Sequence, residues 1–310
     1  MKFLVVGPGA MGCLFAARLK RAGNDVTLLD YIEERAQEIN NQGVIVEEPS
    51  GEFKVNVPTV TGGISTPPDL VLICVKSYKT REASQIIRPW LYPETAVATL
   101  QNGIGNVEIL EEIFGKEKVI AGVTSEGATL LEPGKTKHAG QGETFIGPMG
   151  DEGGSSRVEK LVHAFTKAGF KARSVKNVND FIWGKLIINV GINALAAITR
   201  LKNGRLPALS GTRLIMKEAI NEAVAVARAK NIELPYCDHL ERAMEVCRAT
   251  AGNIASMLQD VLKEKETEVD FINGAIVREG NAAGVPTPVN FLLTSLVQAI
   301  QENYQKGIEV

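Results

Sequence analysis

Three glycines near the start of the chain, Gly7, Gly9 and Gly12, stand between a short apolar run and a helical one. Lys2 to Val6 reads as a buried strand. Ala10 to about Ala22 carries a helical pattern that ends near Gly23, and Asp25 to Asp30 reads as a second strand. A lone GxGxxG is a weak signal, but strand, glycine turn, helix and strand in succession are the context of a dinucleotide-binding fingerprint. One glycine allows the tight turn, the next lets the backbone approach a pyrophosphate, and the last lets helix and strand pack closely. The helix start then offers free N–H groups and a positive dipole end to phosphate. The candidate cradle is therefore Gly7, Pro8, Gly9, Ala10, Met11 and Gly12.

Asp30 ends the second strand within the expected reach of the glycines. A carboxylate there can accept bonds from the adenosine ribose hydroxyls and would repel a 2′-phosphate, which by itself favours NADH over NADPH. Tyr31 follows, so no arginine stands immediately after the strand. Lys76 and Lys79, just past another strand, are cations that would compensate.

The alternation of strands and helices continues. Ile32 to Asn41 is helical, Val44 to Val60 reads as a hairpin around Pro49-Ser50-Gly51, and Asp69 to Lys76 is a strongly apolar strand. Lys79 to Leu91 is helical, and Ala96 to Gln101 is a strand ending at Asn102-Gly103. Val119 to Pro148 is strand-like and glycine-rich, and Ser156 to Glu159 forms a capping box that opens a helix through Ala168. This pattern predicts an α/β domain with a doubly wound, mostly parallel sheet and some antiparallel strands. Ligands bind such sheets at the carboxyl ends of their strands, where Lys76 and Asn102 stand. Asn-Gly is equally a common turn pair.

From about Asn179 the chain is helical almost throughout. The expected division is a dinucleotide-binding domain over 1–178 and a helical domain over 179–310. The second domain opens with an apolar run, Asp180 to Arg200, that carries Lys185, Asn189 and Asn193. Spaced by four, these drift only ~40° per step around a helix and form one polar stripe. Ile187, Ile188, Val190 and Ile192 leave little room for a conventional solvent face, so the stripe is expected to be buried. A buried ammonium is costly unpaired, so something anionic or strongly polar should meet it. A membrane span fits the run poorly, because the same Lys and Asn interrupt it. Farther on, Glu268 and Asp270 cannot face the same way on a helix, so either one points inward and the other to solvent or a cap, or the stretch is a solvated charged face, which is the default for such a run.

Composition narrows the function classes. The chain has 310 residues, a formal net charge of -2 and no block of like charges, which leaves no electrostatic case for nucleic acid or an anionic membrane. Cys13, Cys74, Cys237 and Cys247 are scattered without metal-ligand spacing, so no metal is expected, and a reduced, cytoplasmic setting is. Lys2 before an apolar run is no secretory signal, since Gly7-Pro8-Gly9 breaks the run. An apolar face on the last helix, around Leu292 to Tyr304, would suit a homodimer and would equally suit the core.

The chain resembles the ketopantoate reductase (2-dehydropantoate 2-reductase) family over essentially its full length. The motifs that carry the likeness are GPGAMG, the Gln101-Asn102-Gly103 turn, WGKLIINVGINALAAI, the Asn203-Gly204 pair, NIASMLQD and TEVDFINGAIV. The resemblance implies reduction of ketopantoate to pantoate, in pantothenate and coenzyme A biosynthesis, with NADPH or NADH. It implies that a Rossmann domain and a helical domain enclose a cleft. It implies that Lys185 is the proton donor, that Asn189, Asn193 and Asn203 contact substrate, and that Ser256 binds its carboxylate. Glu268 then falls near cofactor and substrate as a partner for Lys185, Asn102 falls near both, and Lys76 and Ala128 become cofactor contacts. Family members that use NADPH often carry an arginine after the second strand, where this chain has Asp30-Tyr31. Two other readings accompany this one: a reductase of a different 2-oxo acid, and a nicotinamide-sensing protein that kept the fold without the catalysis.

Overall fold

A computed structural model describes residues 1–149 and 156–304. The chain divides into two compact units. The first is Met1–Gln101 with Asn106–Val178; the second is Asn102–Gly105 with Asn179–Val310.

The first unit is built on β1 (Lys2–Val6), β2 (Asp25–Leu29), β3 (Val44–Glu48), β4 (Gly51–Val55), β5 (Thr59–Val60), β6 (Leu70–Ile73), β7 (Ala96–Thr99), β8 (Val119–Thr124), β9 (Gly127–Glu132), β10 (Lys135–Gly140), β11 (Glu143–Gly147) and β12 (Lys171–Ser174). Eight of these form the main sheet, in the order β12-β11-β8-β7-β6-β1-β2-β5. From β5 to β8 all neighbours are parallel, and β11 runs antiparallel to β8 with β12 parallel beside it. The six parallel strands reproduce the doubly wound order, with the reversal between β1 and β6, where such sheets bind ligands. The apolar runs FLVV, LVLI and AVAT are buried along their length, as parallel strands covered on both faces must be.

The helices of this unit are α1 (Ala10–Arg21), α2 (Glu33–Gln42), α3 (Thr80–Ile87), α4 (Asn106–Phe114) and α5 (Ser156–Lys167). The 44–60 segment is a hairpin only through Val55. β3 and β4 pair antiparallel, whereas Thr59–Val60 leaves them to extend the main sheet beside β2. The hairpin joins β10 and β9 in a second, four-stranded sheet packed on α1. That cover explains why α1 buries Cys13 to Ala17 as a continuous stretch rather than one stripe. The helix expected over 79–91 is interrupted. Only Thr80–Ile87 is α-helical, and Arg88–Trp90 tightens into a 3₁₀ turn around Pro89, which lacks the N–H an α-helix needs.

The second unit comprises α6 (Val178–Thr199), α7 (Ser210–Ala229), α8 (His239–Ala249), α9 (Ser256–Leu262), α10 (Asn273–Ala283) and α11 (Pro288–Glu302). Its core gathers around α6, whose Trp183, Leu186, Ile187, Val190, Leu195 and Ala196 are almost fully buried. Helix α6 has the length and apolarity of a membrane span, yet 78% of its apolar window is buried inside the protein, as in a core helix.

Candidate active site

The glycine loop of the first unit has the shape that a pyrophosphate needs. Gly7 follows β1 with φ +99°, a region that favours glycine, and a Cβ there would lie 2.8 Å from Val75 Cγ1. A Cβ on Gly12 would lie 2.0 Å from the Gly7 carbonyl oxygen, so the helix can sit on the turn only without a side chain. At Gly9 a Cβ would meet nothing within 4 Å, which leaves the backbone open on that side. Gly9, Ala10 and Met11 are half-buried, and their N–H groups belong to the helix end that lacks intrahelical acceptors. Pro8 is buried, and its carbonyl accepts a bond from Cys13 Sγ at 3.3 Å. Burial pushes the Cys13 thiol up to about 12, so it behaves as a small apolar residue. Lys76 leads out of β6 into a 3₁₀ turn, next to the Val75 that abuts Gly7. Ala128 lies in β9 opposite His138 and packs against the core of this unit. The open backbone at Gly9 and the start of α1 leave the glycine loop fit for a pyrophosphate.

The end of β2 differs from its sequence reading. Asp30 is buried, its side chain shows no exposure, and it forms a bidentate ion pair with Arg35 through Nε and a terminal nitrogen. Its Oδ1 also accepts from Tyr31 N at 2.7 Å and Ile32 N at 3.2 Å. Position 31 indeed holds no arginine, but the third residue of α2 supplies one. The available signal was the helix start after Ile32, because a side chain in a first turn leans back toward the preceding strand end.

In the second unit the stripe on α6 is internal. Lys185 and Asn189 are half-buried, and Asn193 is 6% exposed. The Lys185 ammonium donates to Asn102 Oδ1 at 2.6 Å. Desolvation lowers the Lys185 pKa to about 8, and the Glu268 carboxylate opposes that shift. Glu268 is buried at 7% exposure, whereas Asp270 is exposed and accepts from Gln298 Nε2 at 2.7 Å. One acid points inward and one outward, on a 3₁₀ turn (Val269–Phe271) rather than an α-helix.

Two devices hold this arrangement. Ile104 N donates to the Phe271 carbonyl at 2.9 Å, so the 102–105 loop docks on the turn that follows Glu268. Gly103 has φ +85°, and a Cβ there would lie 2.2 Å from the Phe271 oxygen; only glycine allows the approach. The fully buried Asn273 then ties α10 to α6, donating from Nδ2 to the Val190 carbonyl at 3.1 Å and to Asn290 Oδ1 at 2.9 Å. Asn290 in turn donates to Ala219 O at 3.0 Å and Glu222 Oε2 at 2.8 Å. Phe271 and Asn273 lie inside the TEVDFINGAIV motif, but nothing in their spacing marks these partners.

The remaining expected residues occupy the loops of the helical unit. Asn203 opens a 3₁₀ turn, donates from Nδ2 to Thr250 Oγ1 at 2.9 Å, and leaves its buried Oδ1 without a partner. Ser256 is exposed as the first residue of α9. Among the described residues no group of three or more His, Cys, Asp or Glu comes together to hold a metal ion.

Comparison with known proteins places the chain. Residues 3–151 match the family model of ketopantoate reductase PanE/ApbA, and residues 177–301 match that of its C-terminal domain. The 2-dehydropantoate 2-reductase of Pyrococcus horikoshii is 34% identical over 96% of this chain and 97% of its own length. That of Halobacterium salinarum is 33% identical over 98% and 100%. Among solved structures, a PanE/ApbA family ketopantoate reductase from Ralstonia eutropha aligns with a TM-score of 0.90 at 34% identity, covering 98% of this chain and all of the other. A ternary structure of D-mandelate dehydrogenase with NADH and anilino(oxo)acetate aligns equally well, with a TM-score of 0.90 at 30% identity over 98% and 99%. A doubly wound unit with a glycine cradle, joined to a helical unit with an internal lysine, defines a nicotinamide-dependent oxidoreductase. Within that class, the chain belongs to the ketopantoate reductase family.

Proposed function

We propose that the protein reduces 2-dehydropantoate to pantoate, with NADH or NADPH as donor. The observation that carries this reading is the internal Lys185, held by Asn102 and facing the charge of Glu268. A reduced dinucleotide held at Gly7 to Gly12 would supply the hydride for the 2-oxo carbon. Negative charge then grows on the carbonyl oxygen, and the Lys185 ammonium stabilises it and transfers a proton to it. A pKa of about 8 suits a proton donor, because the group is largely protonated at neutral pH yet gives up its proton more readily than an ordinary lysine. The Asn102 side-chain oxygen accepts a hydrogen bond from one ammonium N–H and so orients the others. Glu268 keeps the burial of Lys185 from lowering its pKa further. Solvent returns the proton after each turnover.

Asn189, Asn193 and Asn203 offer amides to the hydroxyl and carbonyl groups of the substrate, and Ser256 offers a hydroxyl to its carboxylate. The unpartnered Oδ1 of Asn203 and the near-complete burial of Asn193 support this assignment. Gly7 to Gly12 would hold the pyrophosphate, with Lys76, Ala128 and Glu268 as further cofactor contacts and Asn102 close to both ligands. The two domains of the reading are 1–178 and 179–310.

A second reading, reduction of a different 2-oxo acid, is favoured by the fold likeness to D-mandelate dehydrogenase, whose TM-score of 0.90 equals that of the ketopantoate reductase. The test is the loss of reduced-nicotinamide absorbance with ketopantoate and, separately, with phenylglyoxylate. Faster oxidation with ketopantoate supports the proposal, and faster oxidation with the aromatic acid supports the second reading. Dinucleotide binding without oxidation by either would point to a sensor.

A further inference from the structure

The carboxyl end of β2 combines signals that point in opposite directions. A carboxylate, Asp30, ends the strand, and an arginine, Arg35, stands one turn into the next helix. The pair is bidentate, and both Asp30 oxygens take part. With two backbone N–H groups also on Oδ1, the Asp30 side chain is fully enclosed. A ribose hydroxyl therefore has no exposed Asp30 oxygen to reach.

Arg35 keeps part of its surface, with 27% side-chain exposure, and its guanidinium lies 5.2 Å from the Tyr31 ring centroid. It is nevertheless a poor phosphate site. Its charge is cancelled by Asp30, and turning toward a ligand would leave a buried carboxylate without its cation. Two more carboxylates, Glu33 and Glu34, stand exposed in the first turn of α2. Glu33 is bonded by Thr61 and Gln37, which favours its charged form. Of the two cations that the sequence suggested, Lys79 is paired with Glu82 at 2.8 Å, and Lys76 stands at the other strand end, where β6 leads into its 3₁₀ turn.

We infer that Asp30 selects NADH over NADPH by sequestering Arg35 from a 2′-phosphate, rather than by accepting the ribose hydroxyls itself. This rests on the dinucleotide reading of the glycine loop. Selection works by withholding an attraction from the wrong ligand and leaving it a net repulsion. Asp30 is thus a positioning residue, and Arg35 is a cation held out of use.

The test measures Kd for NADH and NADPH by nicotinamide fluorescence, without substrate, on the full chain. Wild type should bind NADH at least about tenfold more tightly than NADPH. Asp30→Asn releases Arg35 and should tighten NADPH by about tenfold while leaving NADH within about twofold. Arg35→Gln should leave NADPH binding no weaker than wild type. Tyr31→Arg, at a position 72% exposed, keeps the Tyr31 backbone bond to Asp30 and both members of the ion pair while supplying an unsequestered cation, and should also tighten NADPH. That variant keeps the test open if a buried-pair variant does not fold.

Three results would overturn the inference: a wild-type preference for NADPH, a loss of NADPH affinity in Arg35→Gln, or a loss of NADH affinity alone in Asp30→Asn. The second would make Arg35 the phosphate clamp, and the third would make Asp30 the ribose acceptor. Failure of wild type to bind either dinucleotide would instead remove the reading on which the inference stands.

Discussion

Lys185 is subject to two opposed influences, desolvation that lowers its pKa and the Glu268 charge that raises it, with desolvation the larger. The sign of the pH dependence follows. Reduction uses the protonated amine, so kcat/KM should be flat below the pKa and fall as pH rises through about 8. Glu268→Gln removes the influence that raises the pKa, so the same fall should begin at lower pH. A pH series of initial rates on both proteins checks this, and an unmoved midpoint would separate Glu268 from Lys185. The stripe of Lys185, Asn189 and Asn193 was legible in the sequence because its spacing is a property of one helix. Its partners were not legible that way. Asn102 lies 83 residues away and was marked only as a strand-end residue, and the family likeness alone brought Glu268 to Lys185. The Asp30–Arg35 pair was hidden for a different reason. The residue immediately after the strand is Tyr31, and the pairing cation comes from a turn of helix that points back at the strand end.

At the scale of elements, the site depends on a loop of four residues and one central helix. Gly103 meets the Phe271 carbonyl at a distance that no Cβ tolerates, with a φ that disfavours every other residue. Gly103→Ala should therefore cost about 1–3 kcal/mol of stability. It should also lower kcat, because Asn102 moves with the loop. Chemical unfolding and steady-state rates on the one variant test both effects. Helix α6 contributes through burial: Ile187 is fully enclosed, and Ile187→Ala should cost about 2–5 kcal/mol. A change below about 1 kcal/mol in a urea titration would mean that α6 is not the centre of its core. The existence of α6 was plain from its apolar length. The docking of residues 102–105 was not, since Asn-Gly reads equally as a turn that serves only its own strand.

Across the whole molecule, strand and helix identities came from local periodicity, and the sheet order did not. The sequence pattern implied a doubly wound sheet. It did not reveal that Thr59–Val60 would leave its hairpin for the main sheet, or that the hairpin would join β9 and β10 over α1. Both are tertiary pairings between distant segments. The assignment of 102–105 to the helical unit is of the same kind: a short loop is claimed by a distant surface. Because the glycine loop belongs to the folded first unit, dinucleotide at about 100 times its Kd should stabilise the protein by about 2.7 kcal/mol. Gly12→Val, which drives side-chain atoms into the Gly7 carbonyl, should abolish that gain when thermal unfolding is followed with and without dinucleotide.

The proton-donor role of Lys185 is tested most directly by the turnover of Lys185→Ala on ketopantoate, measured beside its Kd for the reduced dinucleotide. The expected result is a kcat lower by about 10²–10⁴, the usual worth of a positioned general acid, with dinucleotide affinity unchanged. A kcat comparable to wild type would contradict that role and move the proton donor elsewhere.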